Sequence, residues 1–134
     1  MELTRVDPRF LDAVWPRVEG MLQRALDVES SYMNISQLQL LIRQERYDLL
    51  VWHDGLDISG AATVEFIDHP LRRVANCLHL GGRGIACREF LDALIVWCKS
   101  FGAVAIQGGA IESRMRLYRR FGFKPTMYLL ELNI

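Results

Sequence analysis

The chain has 134 residues, 51% of them hydrophobic and 24% charged, with sixteen basic residues balanced by sixteen acidic ones. That length makes one domain, residues 1–134, able to bury roughly 65–70% of its unfolded surface. Zero net charge excludes a nucleic-acid or anionic-membrane binder driven by bulk electrostatics and leaves the surface weakly self-repelling. The opening MELTRVDPRF holds no apolar run of signal-peptide type, and no stretch has the length of a membrane span, so a cytoplasmic protein is expected.

Glu2–Val6 reads as a short strand ended by Asp7-Pro8, with Asp7 as N-cap and Pro8 at the first helical position. Phe10, Val14, Val18, Met21, Leu22 and Ala25 then recur at helical spacing. Pro16 lies inside that helix and predicts a break or kink. A second helix is expected from Ser36, where Ser36-Gln37-Leu38-Gln39 resembles a capping box, through Leu41 and Ile42.

The period then changes. Tyr47–Trp52, Ile58–Ile67 and Val74–Leu80 read as three strands, joined by a turn at His53-Asp54-Gly55 and by Asp68-His69-Pro70. Short connections between sequence neighbours predict an antiparallel meander. Gly81-Gly82-Arg83-Gly84 leads into a helix from Cys87 to Phe101, apolar over most of its circumference and so expected to be central and buried, with Gly102 beyond its end. Val104–Gln107 is a short strand after that helix, hence parallel to Val74–Leu80. Glu112–Phe121 is a last helix stopped at Gly122, and Thr126–Leu132 a final strand. The fold class is α/β (α+β): a mixed central sheet with an antiparallel N-terminal meander, one parallel βα crossover, and helices on both faces.

The three cysteines, Cys77, Cys87 and Cys98, are odd in number and lack ligand spacing. Neither a disulfide framework nor a metal site is expected; buried reduced thiols are. A glycine bend between a strand and a helix suits a phosphate, because main-chain amides converge at the positive end of a helix dipole. The same glycines also make an ordinary tight strand-to-helix turn. Tyr118 is an amphipathic residue of the core or, in a cleft, a general acid. Arg114, Arg116, Arg119, Arg120 and Lys124 surround the last helix. They form a solvated face, a phosphate site or a contact with an acidic partner.

Gly84-Ile85-Ala86 opening a helix, a strand one helix later, and Leu117-Tyr118 before Phe121-Gly122-Phe123 resemble the C-terminal half of the GNAT family of N-acetyltransferases. The match in element order extends along nearly the whole chain. The resemblance implies acyl transfer from acetyl-CoA to an amine of a small molecule or protein. It implies a pyrophosphate loop at Gly82, Arg83, Gly84, Ile85 and Ala86, with the strand ending Leu78-His79-Leu80 beside the pantetheine arm. Tyr118 matches the family's general acid. His79, beside the bend, and Glu65, on the second meander strand, are the candidate bases, each with a plain structural alternative. Period-two alternation places His79 on one face with Ala75 and Cys77. Gly81 stands at the loop's usual Gln or Arg position, and Ile111-Glu112 where an asparagine is common. Acceptor specificity is expected from residues 26–36.

A narrower resemblance rests on the run from Ile58 to Gly82, the helix with Trp97, and the arginine-bearing helix ending in Gly-Phe. These resemble small GNAT-like proteins of tailed bacteriophages. That likeness implies an inactive virion or assembly component as the alternative to an enzyme, with a homo-oligomer or virion proteins as partners.

Overall fold

The computed structural model describes residues 1–28 and 32–134. Its core is divided in two by strands whose successive side chains point to opposite faces. Strand β1 (Glu2–Arg5) ends where Asp7 caps a short 3-10 turn, Pro8–Phe10, accepting from the Arg9 amide at 2.9 Å. Helices α1 (Leu11–Val28) and α2 (Ile35–Arg43) follow. The meander is β2 (Asp48–His53), β3 (Ile58–His69) and β4 (Arg72–Gly81). Then come α3 (Arg88–Ser100), β5 (Ala105–Gln107) and α4 (Glu112–Arg120). The strands form one sheet in the order β1-β2-β3-β4-β5, with β4–β5 parallel and every other pair antiparallel.

Leu49, Val51 and Ala61 meet α1 and α2 through Leu11, Trp15, Val18, Leu22, Leu38 and Ile42. Leu50, Trp52, Ala62, Val64 and Ala75 face the other way, onto Phe90, Leu94 and Cys98 of α3. Trp52 and Phe90 meet edge to face, their centroids 5.7 Å apart. The mixed sheet, its meander and the helices on both faces are as the sequence predicts.

Several local expectations are corrected. Helix α1 runs through Pro16 unbroken. Pro16 and Asp12, whose carbonyl loses its helical donor there, both lie on the exposed side, so the carbonyl is open to solvent rather than buried unpaired. Phe10 is exposed, and the apolar face starts at Leu11. The cap of α2 is Asn34, not Ser36: the Asn34 side chain accepts from the Gln37 amide, and the Gln37 side chain accepts from the Asn34 amide, both at 2.9 Å. Helix α3 is buried on one face only, with Val96 68% and Phe101 47% exposed.

The largest difference lies at the C-terminal end. The expected strand Thr126–Leu132 does not form. Helix α4 buries none of its residues, and Phe121 and Phe123 are half-buried outside both core clusters. A strand needs an edge to pair with, and this segment lies on none.

Candidate functional site

The glycine bend is where β4 meets α3, and packing dictates its composition. A Cβ at Gly81 would lie 2.3 Å from the Met21 carbonyl oxygen of α1. One at Gly82, whose φ is +105°, would lie 2.4 Å from the Ser59 carbonyl oxygen, and one at Gly84 would lie 2.6 Å from the Ser59 Cβ. The Gly84 amide donates to the Ser59 carbonyl at 3.1 Å. The bend is thus clamped between α1 and the start of β3, and Gly84 has no amide to offer a ligand. The amides of Ile85, Ala86 and Cys87 donate to no backbone carbonyl among the described residues. Cys87 is the N-cap of α3 and provides no side-chain cap, so the first-turn amides of α3 also remain open.

Two further features converge on this bend. Strand β5 pairs with β4 only at Val74, Ala75 and Asn76, whereas β4 continues to Gly81. From Leu78 onward the outer side of β4 has no strand beside it among the described residues, and a wedge opens toward the bend. On the other side of the bend, toward α1 and the start of β3, lies an open depression of about 550 Å³, lined by Met21, Arg24, Ile58, Ser59, Gly82, Arg83 and Gly84. Arg24 and Arg83 put two cations on one concavity at the bend, which suits a phosphate-bearing ligand. Sequence reading missed Arg24. It sits on the solvent side of α1, and only the seating of Gly81 against Met21 carries it to the bend.

His79 is buried, 7% exposed, and its Nδ1 lies 2.7 Å from Thr63 Oγ1. Either Nδ1–H donates to the hydroxyl or the hydroxyl donates to Nδ1. Burial holds its pKa below the usual 6.5, so the ring is neutral near pH 7. The face expected for His79 is corrected. The β3–β4 register steps from Thr63↔His79 to Val64↔Cys77, leaving Leu78 as the extra residue of a bulge. Ala75, Cys77 and Leu80 therefore pack on the α3 side, while His79 turns with Thr63 toward α1 and α2. Thr63 was missed because its pairing depends on that bulge.

Glu65 pairs in register with Asn76 and is half-buried. By alternation it shares the face of Thr63. Burial first, and the Glu65 carboxylate second, hold the Tyr47 hydroxyl above its usual pKa. The structure thus gathers His79 and Glu65 on one sheet face, with Leu80, Gly82, Arg83, Gly84, Ile85 and Ala86 along the strand end and bend. Tyr118 lies on α4, its ring edge to face with Phe123 at 5.7 Å, apart from both core clusters.

Cys98 is buried, and burial pushes its thiol up to about 11. Cys77 and Cys87 are only half-buried, and the Cys87 Sγ donates to the Gly84 carbonyl at 3.3 Å. Arg114, Arg116, Arg119, Arg120 and Lys124 are exposed and enter no ion pair among the described residues. Of the expected acceptor segment 26–36, residues 29–31 lie outside the described residues. Among the described residues no group of His, Cys, Asp or Glu is arranged to hold a metal ion, and no helix is long and apolar enough to cross a membrane.

No protein-family model matches the sequence, and no curated protein matches it. Solved structures do match. The chain is similar to a tetramutant of the BH1408 protein from Bacillus halodurans, with a TM-score of 0.69 and 18% identity over 100% of both chains. It is similar to an aminoglycoside acetyltransferase from an uncultured soil metagenomic sample, solved with sisomicin, with a TM-score of 0.71 and 12% identity over 99% of this chain and 94% of that one. A predicted acetyltransferase from Clostridium acetobutylicum, solved with acetyl-CoA, gives a TM-score of 0.67 and 15% identity over 98% and 95%. At these identities the likeness is one of fold, and the fold is that of the GNAT acetyltransferases.

Proposed function

We propose that the chain is an acyl-CoA-dependent N-acyltransferase that moves an acetyl group to an amine of a small molecule or protein. The observation that carries this reading is the free edge of β4 running into a glycine bend flanked by Arg24 and Arg83. An acyl thioester supplies an activated carbonyl carbon and a thiolate leaving group. The open amides of Ile85, Ala86 and Cys87 and the two guanidinium groups bind its phosphates. The unpaired backbone from Leu78 to Leu80 lies alongside the extended arm and orients the carbonyl. As the amine nitrogen bonds to that carbon and the carbon–sulfur bond breaks, the amine proton goes to a base. His79, neutral at pH 7, takes it at Nε2, with Glu65 on the same face as the second candidate. Tyr118 is the candidate acid for the departing sulfur.

Acetyl-CoA at a hundred times its Kd is expected to stabilise the chain by about 2.7 kcal/mol, read as a rise in Tm. The Arg24→Ala, Arg83→Ala double variant is expected to lose most of that rise. No shift at millimolar acetyl-CoA overturns the reading. A Tyr118→Phe enzyme with unaltered kcat removes the acid role.

A second reading, a GNAT-fold assembly component without catalysis, such as a bacteriophage virion protein, is favoured by one observation. Packing against Met21 and Ser59 already accounts for the glycines of the bend. That reading expects a flat acetyl-CoA melt and stoichiometric chain in purified particles by mass spectrometry. Absence from such particles removes it.

A further inference from the structure

We propose that the acceptor is an amine carrying a second ammonium group, and that this second cation is held by a row of polar side chains, Tyr47, Glu65, Asn76 and Gln107, crossing the sheet beside His79. This substrate class rests on the acyltransferase reading and adds to it.

Register builds the row. Glu65 pairs with Asn76, and Asn76 pairs with Gln107. Asp48 pairs with Val64, so one step further along that antiparallel pair sets Tyr47 opposite Glu65. Residues directly opposite share a face of the sheet. Val64, Phe66, Ala75 and Ile106, their chain neighbours, pack on the α3 side, whereas Tyr47 packs with α1 and α2. The row therefore lies on the face of Thr63 and His79. The next level toward the bend is Leu49, Thr63 and His79, about 7 Å away along β3.

The row is open and unpaired. All four of its side chains are half-buried. Among the described residues none of them makes a hydrogen bond or an ion pair, and the one sealed side-chain atom without a partner is Arg73 Nε. The polar atoms of the row thus face solvent or a ligand. A half-buried carboxylate calls for a cation, and no neighbour supplies one. The charged residues of α1 and α2 are all exposed, and Arg46, next to Tyr47 in the chain, is exposed too. Burial and the Glu65 carboxylate hold the Tyr47 hydroxyl in its neutral form. The row therefore offers one negative charge and three neutral groups with acceptor oxygens. That set fits an ammonium, whose N–H groups only donate. Position fits as well. Asn76 and Gln107 are the last pair before β4 and β5 part, so the row borders the wedge and stands one level from the candidate base. A substrate with its reacting nitrogen at His79 reaches Glu65 with a second nitrogen about 7 Å away, the span of a short alkyl diamine.

The test uses the full chain with acetyl-CoA and two amines that differ in one group, cadaverine and n-pentylamine. Wild type is expected to prefer the diamine at least about tenfold in kcat/KM, mostly through KM. Glu65→Gln is expected to erase that ratio. Any share of Glu65 in taking the proton slows both amines alike and cancels from the ratio. Equal values for the two amines in the wild type, or a ratio that survives Glu65→Gln, overturn the proposal and leave the acyltransferase reading standing. Melting without acetyl-CoA covers the converse case. A rise in Tm with millimolar cadaverine that Glu65→Gln removes supports the cation site even where no amine is acetylated, and then only the transfer reading falls. Neither transfer nor a rise overturns both. Should Glu65→Gln not fold, Asn76→Asp, which adds a carboxylate to the row, is expected to lower the cadaverine KM; an unchanged or higher KM overturns the proposal.

Discussion

The glycine bend at residues 81–87 and the segment from Gly122 onward carry the same kind of local signal: glycine with positive φ at the end of a regular element, then apolar residues. Gly82 has φ +105° and Gly122 φ +95°. At the first, every neighbour is fixed, with Met21 behind Gly81, Ser59 against Gly82 and Gly84, and Ile85 over Gly60. Nothing lies within 4 Å of a Cβ at Gly122, and the apolar residues beyond it face solvent. Local pattern sets what the backbone is able to do. Whether an element forms depends on a seat elsewhere in the fold, and here one region has its seat and the other does not.

The sharpest way to break this comparison is to truncate a leucine in each region. Leu50 of β2 is fully buried on the α3 side of the sheet, whereas Leu130 is 88% exposed. Leu50→Ala is expected to cost about 2–5 kcal/mol in urea unfolding, through lost transfer energy and the cavity left behind. Leu130→Ala is expected to stay within about 0.5 kcal/mol of wild type. Similar losses at the two sites would mean that the segment beyond Gly122 packs in the fold.

Alanine at the two glycines separates backbone strain from contact. Gly122→Ala places a Cβ in open space, so only the positive φ counts, about 1–2 kcal/mol. Gly82→Ala carries the same strain and drives its Cβ to 2.4 Å from the Ser59 carbonyl, adding overpacking of about 1–3 kcal/mol. Equal drops in Tm for the two variants would show that Ser59 yields, and that the bend's glycines are not held there by packing.

The difference between the regions also explains what was legible in the sequence. The meander, the bend, the crossover and the Asp7 cap are local or nearest-neighbour features, and periodicity and turn chemistry reveal them. Asn34-Ile35-Ser36-Gln37 satisfies the same capping rule as the run two residues later, and it is the one whose Gln reaches back. The Leu78 bulge leaves one trace in the sequence, the consecutive apolar pair Cys77-Leu78 between Asn76 and His79, but which residue is extra is defined only relative to β3. Arg24, Thr63 and the face of His79 follow from tertiary register for the same reason. The segment 126–132 has the composition of a strand but forms none, because no residue within it specifies which edge it meets.

The smallest expected effect tests the candidate base. His79 sits in the packed region with its pKa below 6.5 because burial disfavours the cation. In the unfolded chain the same ring protonates near 6.5, so below that pH the unfolded state binds the extra proton first. The His79 contribution to stability is therefore whole above 6.5 and is lost as pH falls toward the lower folded value. His79→Gln keeps a side chain able to bond Thr63 Oγ1 and removes the proton uptake. Urea unfolding of the two proteins between about pH 7.5 and pH 5.5 is expected to show a shallower decline for the variant. Parallel curves would mean that the imidazole charges freely inside the fold. A ring that charges freely is not shielded by the β3–β4 bulge, and Glu65 would then be the better candidate to take the amine proton.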